Sequence, residues 1–189
     1  WVGTGGGLFQ FDRASKTFSL VTPVYVTSTI LNNKNILSLY EDSYGLVWIG
    51  SAEDGIAKYD RERMKFRHYK HEPFQENSLN HNTVRDLYQD NTGTLWIGTL
   101  GGGLNRCNSS TNNFISYENN QRNKYSLSDN SVSAICKDSY GYLWVGTWNA
   151  GLNKTLHPLK NIAGEKLEFE KFNTNPAFYH IPRSSIIQK

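Results

Sequence analysis

Cysteine is scarce. In 189 residues only Cys107 and Cys136 occur, and they fall where related stretches of the chain place tyrosines, Cys136 against Tyr40 and Tyr88 and Cys107 against Tyr59. Packing thiols are expected rather than a disulfide framework, and no redox compartment follows from them. An excess of charge of one sign is missing too. The 20 Lys plus Arg stand against 17 Asp plus Glu, interspersed, for a net charge of +3, so there is no basic stripe of the kind that tracks a nucleic acid. No stretch approaches the roughly 18 apolar residues of a membrane span, and the residues from Trp1 onward read as repeat motif rather than as a leader. Sustained 3.6-residue periodicity is absent, which excludes helical repeats. Disorder is excluded by the aromatic content of 13%, too high for a chain that buries nothing.

Catalytic groupings are equally thin. Of His68, His71, His81, His157 and His180, only His68 and His71 are closely spaced, whereas a transition-metal site wants three or four convergent ligands; exposed histidines at strand ends are expected. Glu53 and Asp54 are adjacent, which points them apart in a strand or turn, and glycoside hydrolysis needs two carboxylates at a defined separation. The glycine clusters Gly3–Gly7 and Gly98–Gly103 lead into further strands, not into the helix a phosphate loop requires, so they read as hairpin turns. No catalytic residue, metal or cofactor is expected.

What the chain does have is repetition. Trp1, Trp48, Trp96 and Trp144 lie 47, 48 and 48 residues apart, and internal repeats of this period signal a solenoid or propeller. Aligned on Trp, the second to fourth units read EDSYGLVWIGS, QDNTGTLWIGT and KDSYGYLWVGT, with Asp42, Asp90 and Asp138 six residues before Trp and Gly45, Gly93 and Gly141 three before. The Asp-x-x-Gly segment reads as a turn in which Asp accepts backbone hydrogen bonds. Before it lies a first strand marked by Ile36, Leu39 and Tyr40 or their counterparts, whose apolar spacing is not a clean alternation. After it, LWIG is an apolar run bounded by turn residues, the pattern of a strand buried on both faces. IAKY, LNRC and LNKT supply a third strand. Phe18, Phe66 and Phe114 mark a fourth, which the last unit carries as LEFEKF after about seven inserted residues. Four short antiparallel strands per repeat make one propeller blade, so the expected fold is an all-β propeller of about four blades, part of a larger ring. On this reading residues 1–189 form one segment, with 183–189 the first strand of a further blade.

Two stretches, Ser78 to Arg106 and Ser126 to Lys154, resemble the two-component regulator propeller repeat. The resemblance implies the periplasmic sensor region of a hybrid histidine kinase, with a glycan or oligosaccharide as ligand. The further partners it implies are the remaining propeller blades or a second chain of a homo-oligomer, no nucleic acid, and a membrane reached only through parts of the parent outside this chain. The alternative is an interaction or oligomerisation scaffold that senses no small ligand. Departures from the repeat fall in loops, where binding function concentrates: Glu53 and Asp54 replace glycines in the second unit, and the fourth places Trp148 and Asn149 in the same turn, Trp148 where other units have Gly5, Ala52 and Leu100. Those four residues, with Arg85, are the candidate ligand-binding positions. Trp148 is suited to stacking on a sugar, and local packing against the next blade stands as the other use of its ring.

Overall fold

The structure is a computed structural model and describes residues 1–21, 35–60, 65–108, 113–161 and 166–172. The strand expected at 183–189 lies outside the described residues. Each repeat folds as an antiparallel meander in chain order. The first sheet has three strands, β1 (Val2–Thr4), β2 (Gly7–Asp12) and β3 (Thr17–Leu20). The second comprises β4 (Ile36–Glu41), β5 (Val47–Ser51), β6 (Ile56–Asp60) and β7 (Lys65–Tyr69). The third comprises β8 (Val84–Gln89), β9 (Leu95–Thr99), β10 (Leu104–Asn108) and β11 (Asn113–Tyr117). The fourth comprises β12 (Val132–Lys137), β13 (Leu143–Thr147), β14 (Leu152–Thr155) and β15 (Phe169–Phe172). First strands lie side by side, β4 with β8 and β8 with β12, and β1, which follows Trp1 and is the counterpart of the second strands β5 and β9, lies against β4 as those lie against β8 and β12, so the sheets fan outward from a line of first strands, as propeller blades do.

The repeated sequence is explained by what each motif residue bonds. Asp42, Asp90 and Asp138 each accept, through Oδ2, the indole Nε1–H of the tryptophan six residues on, at 2.9, 3.0 and 2.8 Å. Through Oδ1 each also accepts the amides two and four residues on, at 2.9 and 3.0 Å for Asp42, 2.8 and 3.2 Å for Asp90, and 3.0 and 3.0 Å for Asp138. One carboxylate thus closes the turn between first and second strands and fixes the tryptophan, which is why the two residues keep their spacing. Lys58 and Lys154 then lie 4.9 and 5.6 Å from the ring centres of Trp48 and Trp144 on the neighbouring strand, a cation–π contact.

Packing runs between sheets. One core cluster joins Trp48 and Ile56 of the second sheet to Val84, Leu87, Leu95, Ile97 and Phe114 of the third, with Leu79 from the connecting loop. The next repeats this with Trp96 and Leu104 against Val132, Ile135, Leu143, Val145 and Phe169, with Leu127. The second strands β5 and β9 are buried along their whole length, as expected. Their glycine has a reason: a Cβ on Gly50 or Gly98 would lie 2.6 or 2.7 Å from Cγ1 of Val84 or Val132 in the following sheet. Glycine there lets the sheets approach, and apolar area that one sheet alone would leave wet becomes core.

The broken alternation of the first strands also has a cause. The pairing register slips between Ile36 and Ser38, between Val84 and Asp86, and between Val132 and Ala134. Each first strand therefore carries a bulge, with Leu37, Arg85 or Ser133 as the extra residue, and bulges re-aim side chains.

Candidate functional site

The turns between second and third strands and the loops between sheets meet at one end of the fan. There the loops act as straps. Asn82 accepts the amide of Gly55 on its backbone oxygen and that of His71 on Oδ1, both at 2.7 Å, tying the loop before β8 to the preceding sheet. Asn130 repeats this one unit later, its backbone oxygen accepting Gly103 at 2.8 Å and Gly101 at 3.0 Å, and its Oδ1 accepting Asn119 at 2.6 Å. Fully buried Asn105 and Asn153 hold the same loops from their own sheets, through the amides of Asn80 and Ser128 at 3.1 and 2.9 Å. Buried polar groups of this kind are satisfied and therefore rigid.

All five sequence-predicted site residues lie at this end. Arg85 is the bulge residue of β8, and Trp148 sits in the turn after β13, its amide donating to Ser131 O at 2.8 Å. The guanidinium carbon of Arg85 lies 5.1 Å from the centre of the Trp148 ring. Trp148 thus packs on Arg85 of the preceding sheet and still keeps 44% of its surface exposed. Asn149 is anchored beside it: its backbone amide and Nδ2 donate to Asp129 Oδ2 at 3.3 and 3.1 Å. Glu53 and Asp54 occupy the turn after β5, two sheets from Trp148 and one from Arg85. Glu53 is exposed, and Asp54 is half-buried, its amide donating to Ser51 Oγ at 2.9 Å and its backbone oxygen meeting His68 Nε2. The structure therefore joins Arg85, Trp148 and Asn149 into one group, and Glu53 and Asp54 lie on the corresponding turn of the second sheet.

Asp129 was not anticipated. Its Oδ1 accepts the Ser131 amide at 3.1 Å, the role that His81 Nδ1 plays toward Thr83 at 3.0 Å one unit earlier. The interchange of His and Asp at one loop position was the available signal. The histidines also differ from expectation: His68, His71 and His81 are half-buried in turn networks, with His71 Nδ1 donating to Leu79 O at 2.9 Å. Burial, with His71 nearby, pushes the His81 imidazole below its ordinary range, in keeping with a ring that accepts an amide. On β8, burial raises the Asp86 carboxyl even though it accepts the Ile135 amide of the next sheet at 2.6 Å. The glycine clusters form hairpin turns, as read from sequence. A separate open cleft of about 650 Å³ lies on the outer side of the third and fourth sheets, between Tyr117 and Phe169.

A family described as "Two component regulator propeller" matches residues 30–53, 78–101 and 126–149. Each match starts before a first strand and ends in the turn that carries Glu53, Gly101 or Asn149. No curated protein matches the chain. Among solved structures it is similar to the extracellular domains of two putative hybrid two-component systems from B. thetaiotaomicron. One has 28% identity and a TM-score of 0.65, the other 29% and 0.59, each match covering 76% of this chain and 19% of that one. The chain thus spans about a fifth of those domains. Virginiamycin B lyase from Staphylococcus aureus, at 14% identity and TM-score 0.52 over 72% of this chain and 41% of that one, shares the fold alone. The second, third and fourth units of this chain are two-component regulator propeller repeats, and the chain is a β-propeller segment similar to the extracellular domains of hybrid two-component systems.

Proposed function

We propose that this chain is a ligand-sensing segment of the periplasmic region of a hybrid two-component sensor kinase, that it is not itself catalytic, and that it recognises a glycan or oligosaccharide. The observation that carries the reading is the exposed Trp148 ring stacked on Arg85 from the preceding sheet, with Asn149 and Asp129 at its edge. A sugar presents an apolar ring face and vicinal hydroxyls; an exposed indole covers the first, and amide and carboxylate groups bond the second. Because Arg85 and Trp148 belong to different sheets, a ligand spanning them has differential contact with two arrangements of those sheets. That is the requirement for shifting a population and passing the signal to a kinase outside this chain. The test is titration calorimetry of the full-length polypeptide that contains this segment against a broad oligosaccharide panel. Binding of at least one member, weakened by Trp148→Ala, is the expected result, and silence across the panel overturns the reading.

The scaffold reading is favoured by one observation, the pair Phe11 and Phe18 on β2 and β3, with ring centres 4.8 Å apart and 40% and 59% exposed. A second chain laid on that pair would bury it. Light scattering that shows a monomer at micromolar concentration overturns this second reading.

A further inference from the structure

Arg85 is a half-buried cation that forms no ion pair with any of the described acidic residues. Of the chain's 17 acidic residues, all but Glu62 and Glu165 lie within the described residues, and none of those described forms an ion pair with Arg85. Its sequence neighbour Asp86 is turned to the Ile135 amide of the next sheet at 2.6 Å. Asp129, beside Trp148, is engaged by the Ser131 amide and by Asn149. The Nε of Arg85 is shielded from solvent and has no hydrogen-bond partner. Its recorded contact is the face of Trp148. Half-buried guanidinium groups are ordinarily paired, because desolvation without a counter-charge is unfavourable.

The fold does not require arginine there. The other first strands place Leu37 and Ser133 at the same bulge, and the turn position of Trp148 is filled by Ala52 and Leu100 in the other units. The cation and the exposed ring thus coincide at one seam, between the third and fourth sheets, as additions to the repeat pattern.

We propose that Arg85 and Trp148 form a subsite for an anionic sugar, one bearing a carboxylate or sulfate group. The proposal rests on the glycan-sensing reading above and narrows its ligand class. The planar guanidinium offers a fork of N–H donors that matches either oxyanion bidentately. The exposed part of the indole takes the apolar face of the same or the adjoining ring. Asn149 and Asp129 stand where hydroxyl groups of that ring are bonded, and Asp129 is already oriented by the amides it accepts. Because the anion would complete a charge pair between two sheets, ligand occupancy and the spacing of that seam become linked.

The test titrates the full-length polypeptide that contains this segment with galactotriose, trigalacturonate and a sulfated galactotriose, at low and moderate salt. The expected result is binding of one anionic probe at least about tenfold tighter than galactotriose, weakening as salt rises. Which anionic probe binds tells carboxylate from sulfate. Arg85→Gln should lower that affinity about 10- to 100-fold, the range of a hydrogen bond to a charged group, and should reduce the preference over galactotriose. Galactotriose bound as tightly as the anionic probes, or an acid preference that survives Arg85→Gln, overturns this proposal and leaves glycan sensing standing. Binding of none of the three, together with silence across the wider panel, removes both. If Arg85→Gln does not fold, the preference and salt dependence of the unaltered protein decide. Arg85→Lys, which keeps the charge and loses the fork, should then weaken the anionic probe about tenfold.

Discussion

Replacing Asp90 by Ala tests whether the Asp–Trp clasp holds the blades together. Asp90 is 8% exposed and Trp96 3%, so the indole N–H that now donates to Asp90 Oδ2 would be left buried without an acceptor, at a cost of about 1–3 kcal/mol. The amides of Thr92 and Thr94 lose Oδ1 as well. They lie in a turn that water reaches, so each adds the smaller net value of about 0.5 kcal/mol. The sum is about 3 kcal/mol, which for a chain of this size lowers the melting temperature by about 6–12 °C. Asp138→Ala provides the internal control: Trp144 is only half-buried, water can replace the carboxylate, and the loss should be about 1 kcal/mol. Urea and thermal melts of both variants measure the difference. In a Trp96→Phe background the N–H is already gone, so the cost of Asp90→Ala should fall by about 1–2 kcal/mol in a double-mutant cycle. An Asp90→Ala loss no greater than that of Asp138→Ala, or a coupling energy near zero, refutes the reasoning.

Two further perturbations probe the seams. Gly98→Ala drives a methyl against Val132, and overpacking of this kind costs about 1–3 kcal/mol; adding Val132→Ala should restore most of it, and a double variant no better than the single one contradicts sheet-to-sheet contact at Gly98. Burial pushes the Cys107 thiol up to about 11, so at pH 8 it stays protonated and closed to thiol reagents in the folded chain. Half-buried Cys136 should react first, and stoichiometric labelling of Cys107 before unfolding argues against the core placement.

The repeat was legible because its markers are coupled inside one unit. Asp90 and Trp96 share a carboxylate, and a bond between residues six apart leaves a fixed spacing in the sequence. The tight glycine after WI was legible as part of a pattern, but its cause, Val132 in the following sheet, was not. The bulges showed only as a failure of strict alternation at Ile36, Leu39 and Tyr40, since a register slip is a property of two strands and the sequence shows them one at a time. At the site, Asn149 stood out against Gly101 of the third unit, and Trp148 as an aromatic ring where the second and third units have Ala52 and Leu100. Their partners did not. Arg85 lies in another repeat, and Asp129 occupies a loop position where the preceding unit has a histidine, so only the fold brings them to the same edge.

Asn82 and Asn130 each reach back to the sheet before their own. A unit cut from strand to strand, with its leading loop, therefore carries its own fastening to whatever copy precedes it, and it offers the next copy the same turn amides to seize. Such a unit can be duplicated or lost in a genome without redesigning a neighbour, because every junction is written within the copy that follows it. Blade number then becomes something evolution can count up or down in steps of one repeat, while a departure such as Arg85 or Trp148 stays local to the seam where it arose.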